Sequence, residues 1–194
     1  MPASLFRYLC FSAMAGLVGC TTMSKVGYDS PASVESSYSA DVTLVSGVIT
    51  GDPFVGVIYP IPIPITRQPP REAMFNADDQ KVFVASLIDE LSRLKILNAR
   101  AASDTDRIKA DVSIQIAFVR THVRDTPVNT YTLEVALRMC ARERCTLERY
   151  DVNSSEGETA SSHFSLTFAG AKERVAKNLL AKVIPGIETF VSRN

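Results

Sequence analysis

The chain of 194 residues carries 21 basic and 21 acidic side chains, and such a charge balance gives no electrostatic reason to expect nucleic acid or an anionic membrane surface as a partner. A hydrophobic fraction of 46% is ordinary for a folded domain and excludes disorder across the whole chain. The length fits one domain, and with only two histidines the chain is poor in residues for metal binding or acid–base chemistry.

Residues 1–19 have the pattern of a secretory signal peptide. Arg7 supplies a positive start, and the apolar run from Tyr8 to Val18 is too short to span a bilayer as a helix, which takes roughly 20 residues. The run ends in Leu17-Val18-Gly19-Cys20, which resembles the lipobox of bacterial lipoproteins. The resemblance implies that cleavage follows Gly19 and that Cys20 is acylated, which would hold the protein on a lipid bilayer. The alternative is an ordinary secretory signal that happens to contain Cys20.

The residues after Cys20 bear on where the protein is held. Thr21 is not acidic, which resembles lipoproteins sorted to the outer membrane, so we expect a lipid-anchored protein on the periplasmic face of that membrane. Residues 20–40 contain six serines and few large apolar side chains, a composition that predicts a flexible tether. The same composition would suit a disordered stretch without a spacing role. Residues 41–194 are then a single domain.

A first strand is predicted near 41–50, and a proline-rich stretch follows it. Residues 53–70 hold six of the ten prolines, which excludes helix there. At its centre, prolines alternate with large apolar side chains, namely Tyr59, Ile61, Ile63 and Ile65. In an extended chain the three missing backbone donors fall on one side, so the segment suits an edge strand or an extended loop. The functional interpretation is an exposed apolar contact for a partner protein or lipid.

Two helices and three antiparallel strands are predicted in the rest of the domain. Asn76 precedes a helical pattern over 78–95 as a cap. Strict alternation predicts strands at 112–118 and 131–139, with a third at 146–152. A last helix should run from about Ala169 to Val191 and bend or break at Pro185-Gly186. This order predicts an α+β fold, with an antiparallel sheet and two helices packed on one face.

Cys140 and Cys145 flank a turn between two predicted strands. A four-residue hairpin loop, 141–144, would place the two cysteines directly opposite each other, at a Cα separation that accommodates a disulfide. The compartment beyond the inner membrane is oxidising. We therefore expect a Cys140–Cys145 disulfide that sets the register of the hairpin; a metal site would need further ligands.

No catalytic pattern stands out. Ser162 and His163 are adjacent, and neighbouring residues of an extended segment point to opposite faces. His122 and the paired carboxylates Asp78-Asp79 and Asp89-Glu90 occupy places typical of surface or structural groups. The arginines near the cysteine hairpin are interleaved with glutamates, which indicates a mixed-charge surface more than an anion site. We expect no enzyme, no cofactor and no metal.

Six short motifs have a recognisable pattern, namely Leu17-Val18-Gly19-Cys20, Leu87-Ile88-Asp89-Glu90-Leu91, Ala110-Asp111-Val112-Ser113-Ile114, Asn129-Thr130-Tyr131, Glu156-Gly157 and Ile187-Glu188-Thr189-Phe190-Val191. In these motifs the chain resembles the small bacterial lipoproteins of the YajG type and, more loosely, the envelope-assembly and transporter-auxiliary lipoproteins. The Pro-Ile segment and the cysteine hairpin depart from the family pattern. The resemblance implies a non-catalytic accessory or assembly subunit of an envelope protein complex. The alternative is a lipid- or glycan-binding module of the cell envelope.

Overall fold

A computed structural model describes residues 23–31, 34–45, 50–51, 75–102, 109–126, 128–155 and 168–194, which form a mixed sheet and two helices. The predicted α+β class is confirmed. None of the described helices is long and apolar enough to cross a membrane. In chain order, the elements are β1 (Ser39–Val45), β2 (Thr50–Gly51), α1 (Ala77–Arg93), β3 (Asn98–Ala101), β4 (Val112–Thr126), β5 (Val128–Ala141), β6 (Arg144–Asn153) and α2 (Phe168–Ser192).

The sheet has the strand order β3-β1-β4-β5-β6, and the short strand β2 pairs with β4 beyond the end of β1. Strands β4, β5 and β6 form the predicted antiparallel meander. Strands β1 and β3 differ from the prediction, because β1 runs parallel to both β3 and β4. Strand order between distant segments is a non-local property, so alternation within each strand could not reveal it.

Helix α1 begins and ends with well-formed caps. The Asn76 side chain accepts hydrogen bonds from the Asp78 and Asp79 amides, and the Asp79 carboxylate accepts from the Asn76 amide, which completes a capping box. At the other end Lys95 adopts a positive φ of 57°. The amide of Lys95 donates to the carbonyl of Ser92, and that of Ile96 donates to Leu91. These two bonds are the Schellman motif, which explains why the helix stops two residues before the predicted end.

Alternate side chains of the central strands form the floor of the core. The register places Ile114 opposite Met139 and Ile116 opposite Leu137 on the same face, and all four are completely buried. Phe118 packs against Phe83 of α1 with ring centroids 5.7 Å apart. Helix α2 covers β5 and β6, and α1 covers β1 and β3. Both helices therefore pack on one face, as the sequence predicts.

Helix α2 continues through Pro185-Gly186 to Ser192 and is not broken there. Pro185 lies on the exposed side. The Cα of Gly186 lies against the side chains of Tyr150 and Glu148 on β6, and a Cβ at this position would collide with the tyrosine hydroxyl. Glycine is needed here for the close approach of helix and sheet.

Candidate functional site

The segment that begins at Met23 is packed along both helices. Met23 is 3% exposed, and its amide donates to Asp79 Oδ1 at 3.1 Å. One residue later the Ser24 amide donates to Glu173 on α2, and the Val26 amide donates to the Ser86 hydroxyl on α1. The composition of residues 20–40 predicted a flexible tether, but the described part of this segment is docked on the domain.

A buried ion pair receives the start of that segment. Lys172 Nζ lies 2.8 Å from Asp79 Oδ2, and both side chains are 0% exposed. The carboxylate therefore accepts from one ammonium group and two backbone amides, those of Met23 and Asn76. Such a cluster is stable in a dry interior only when charges and hydrogen bonds are satisfied together.

Tyr131 completes the buried polar region at this end of the sheet. Burial raises the pKa of its hydroxyl above the ordinary value, and the negative charge of Asp79 adds to the effect. The Tyr131 backbone is held on the last turn of the meander, since its amide donates to the Ser154 hydroxyl at 2.9 Å. These contacts join the starts of α1, α2 and β5. Because the raised pKa keeps the Tyr131 phenol protonated at neutral pH, we assign this residue a structural role.

Further contacts hold the segment along the length of α1. Glu90, 8% exposed, pairs with Arg93 at 2.6 Å, and the same guanidinium donates to the Tyr28 carbonyl at 2.7 Å. The hydrogen bond from Arg93 to Glu90 raises the pKa of the guanidinium. Asp29 pairs with Lys177 on α2, which lowers the pKa of the Asp29 carboxyl. The segment therefore bridges the two helices.

A cleft of about 550 Å³ lies at the opposite end of the domain. It is formed by the β5–β6 hairpin, the start of β4 and the last turn of α2. Its floor is apolar and its rim is charged, and the lining residues that give it this character are Val112, Ala141, Phe190, Val191, Asp111, Arg142 and Arg144. An apolar floor with a few convergent polar groups is the usual form of a small-molecule site.

Asp111 is a charged group of the cleft that hydrogen bonds hold in place. Its carboxylate accepts from the Ser39 hydroxyl at 2.7 Å and from the Ser39 amide at 2.9 Å. These hydrogen bonds, aided by Arg142, lower the pKa of Asp111 below its ordinary value. The carboxylate therefore remains ionised and places a negative charge beside the arginines of the rim.

The predicted disulfide between Cys140 and Cys145 is confirmed, with Cα atoms 4.1 Å apart. The hairpin loop is shorter than predicted: Ala141 pairs with Arg144, so the turn contains two residues where four were expected. Arg142 makes this possible with a positive φ of 53°. Two-residue hairpin turns are usually recognised by glycine, asparagine or aspartate at the positions with positive φ. Because an arginine occupies this position, the sequence carries no signal for a tight turn.

The disulfide lies on the face of the sheet away from the helices, because its strand positions alternate with those of the buried residues. Two large apolar side chains on that face are well exposed, Leu147 at 63% and Val45 at 41%. On the same face, the guanidinium of Arg149 on β6 lies 3.7 Å from the carboxylate of Glu134 on β5. This supports the predicted mixed-charge surface.

Several residues singled out in the sequence fall outside the described ranges. These are Cys20, the predicted contact residues Tyr59, Ile61, Ile63 and Ile65, and the adjacent pair Ser162 and His163. Across the described residues, no three His, Cys, Asp or Glu side chains are grouped so as to hold a metal ion. Of the predicted site residues, the described ranges include Cys140 and Cys145, and the structure brings these two together.

The residues that sequence reasoning missed are Met23 and Lys172. Lys172 precedes Val175 by three residues and Leu179 by seven, so it falls on the inner stripe of α2. A lysine on an otherwise apolar stripe, together with an aspartate in the first turn of the other helix, was the available signal.

Comparison with solved structures finds similarity at low sequence identity. Protein XCC0632 from Xanthomonas campestris, described with the family DUF330, matches with a TM-score of 0.51 and 12% identity, over 89% of this chain and 97% of that one. The hypothetical protein CT253 from Chlamydia trachomatis matches at 0.45 and 12%, over 81% and 100%. The chain matches no protein-family model and no curated protein. The first likeness shows that this chain has the fold of a DUF330 protein.

Proposed function

We propose that this protein is a lipid-anchored, periplasm-facing lipoprotein that serves as a non-catalytic accessory or assembly subunit of an envelope protein complex. Cys20 is the acylated residue, and the resemblance of the motifs to YajG-type lipoproteins supports this. The outer membrane is the expected location because Thr21 follows the acylated cysteine. The fold shared with a DUF330 protein is compatible with the proposal.

One observation carries the proposal: Met23, three residues after Cys20, is packed in the domain. A domain that is packed so close to its anchor is held near the membrane, where it can contact a complex of the same membrane. The apolar side chains Leu147 and Val45 on the uncovered sheet face offer contact area away from the helices.

The anchor is tested by metabolic labelling with palmitate. The natural chain should be labelled and recovered with membranes, and Cys20→Ser should lose the label. The matched control, Cys140→Ser with Cys145→Ser, removes two other cysteines and should keep the label. An unlabelled natural chain would contradict the proposal.

The accessory role is tested by crosslinking in the native host. A photo-crosslinking residue at Ile61 or Ile63 should trap a specific envelope protein, and the same residue at Lys81, which is exposed on α1, should trap it less. If these positions give no specific adduct, the predicted role of the Pro-Ile segment is wrong.

The cleft favours a second candidate function, a lipid- or glycan-binding module. Its apolar floor suits an acyl chain or a sugar face, and the charged rim suits a polar headgroup or hydroxyl groups. Native mass spectrometry of the protein extracted from its own membrane should reveal a retained ligand, which Val112→Trp in the floor should displace.

A further inference from the structure

We propose that a lipid bilayer is the partner of one end of this domain: the end that carries Met23, the first turn of α1 and the first turn of α2 rests on the lipid headgroups. The cleft then faces away from the membrane. This inference rests on the proposed acylation of Cys20 and adds to it an orientation that acylation alone does not give.

The stretch of chain between the anchor and Met23 is short. Only Thr21 and Thr22 separate Cys20 from Met23. Three Cα–Cα steps span at most about 11 Å even when fully extended. A flexible tether over the whole of residues 20–40 would instead allow roughly 25 Å and any orientation. The acylated residue is therefore confined to a small region around Met23.

Met23 is fixed to the domain by packing and by hydrogen bonds. Its side chain is 3% exposed within the core, and its amide binds Asp79, which is itself tied to Lys172. The next residues are held by hydrogen bonds to Glu173 and Ser86. Releasing this segment to lengthen the tether would expose the side chain of Met23 and the buried ion pair, so the short connection is the stable state.

The surface near the anchor is formed by the starts of both helices. Met23 contacts the first turn of α1 at Asp79, and Lys172 belongs to the first turns of α2. The β4–β5 hairpin ends on the same side, since β5 extends three residues before Tyr131, about 10 Å at the rise of a strand. The backbone of this hairpin therefore projects about as far as the anchor can reach.

The cleft lies far from the end of the domain that carries Met23. Phe190 in the cleft follows Lys172 by 18 residues of one helix, which corresponds to about 27 Å at the rise of an α-helix. A bilayer that is held near Met23 cannot also contact the rim of the cleft at Glu143. The cleft is then open to molecules or proteins of the periplasm.

The test compares two probe positions in the acylated protein, purified from membranes and reconstituted into vesicles of phosphatidylethanolamine and phosphatidylglycerol. Asp78→Cys and Glu143→Cys each place a single reactive thiol on an exposed site, one at each end, because Cys140 and Cys145 are paired. A fluorophore on the thiol is quenched by a lipid that carries a nitroxide on its headgroup. Quenching should be several-fold stronger at position 78 than at position 143.

A matched variant removes the cause. A flexible Gly-Ser spacer of about 12 residues between Thr22 and Met23 adds roughly 20 Å of reach and leaves the docked segment intact, so the difference between the two positions should largely disappear. Equal quenching without the spacer, or a difference that the spacer does not reduce, would overturn the inference while palmitate labelling still supports the anchor. A chain without label and without vesicle binding would overturn both.

Discussion

Replacing Lys172 by methionine tests the buried ion pair most directly. Methionine keeps most of the volume of the side chain and removes the ammonium group that lies 2.8 Å from Asp79. The carboxylate then keeps two backbone donors, from Met23 and Asn76, but loses the ammonium group that is paired with it in a buried site. Breaking one partner of a buried pair costs about 3–5 kcal/mol.

This magnitude is a large part of the stability of a domain, which is about 5–15 kcal/mol. For a chain of this size it corresponds to a fall in melting temperature of roughly 6–20 °C. The assay is urea denaturation and thermal unfolding of residues 21–194 under oxidising conditions, followed by circular dichroism. The matched control is Lys177→Met on the same helix, whose pair with Asp29 is exposed and should contribute little.

The double variant Asp79→Asn with Lys172→Met separates charge from packing. Since it leaves no unpaired charge, it should be less destabilised than the sum of the two single variants. If Lys172→Met costs no more than Lys177→Met, or if the two single effects simply add, the buried pair is not what holds the two helices and the Met23 segment together.

Four further outcomes are expected. Cys140→Ser with Cys145→Ser should lower the free energy of unfolding by about 2 kcal/mol, the entropy of closing so short a loop, as measured in urea; no loss would mean that the strands alone fix the register. Lys95→Gly should raise the free energy of unfolding by about 0.5–1 kcal/mol, because glycine adopts the positive φ of this helix end without strain. The melting temperature checks this prediction, and a lower melting temperature would contradict it. Gly186→Ala should lower the unfolding free energy by about 1–3 kcal/mol, because the new Cβ collides with the Tyr150 hydroxyl; an unchanged melting temperature would show that the contact yields easily. The lowered pKa of Asp111 means that its contribution to stability is present above the unfolded-state value of 3.8 and is lost as the pH falls through the folded-state value. Asp111→Asn should therefore flatten the acid side of a plot of melting temperature against pH between neutrality and about pH 3, and a parallel shift of the whole curve would refute the assignment.

The docked amino-terminal segment shows where composition misleads. Serine-rich residues with few large apolar side chains predicted a flexible tether, but the described residues before Ser39 are packed on the domain. Composition does not report whether backbone amides find acceptors elsewhere. Here the acceptors are Asp79, Ser86 and Glu173, which lie far away in the sequence.

Features that depend on neighbours along the chain could be predicted from the sequence. The Asn76 cap, the stripe of α1, the alternation of β4 and β5 and the facing cysteines of one hairpin all follow from short-range periodicity and turn geometry. The prediction of an acylated Cys20 also depends on a short contiguous motif.

Features that join distant segments could be seen only in the folded domain. The parallel pairing of β1 with β3 and β4, the ion pair between residues 93 positions apart, and the cleft between a hairpin and the end of α2 have no local signature. The physical reason is that burial and charge pairing depend on which surfaces meet. The place of Met23, and with it the distance from the predicted anchor to the domain, is set by that packing.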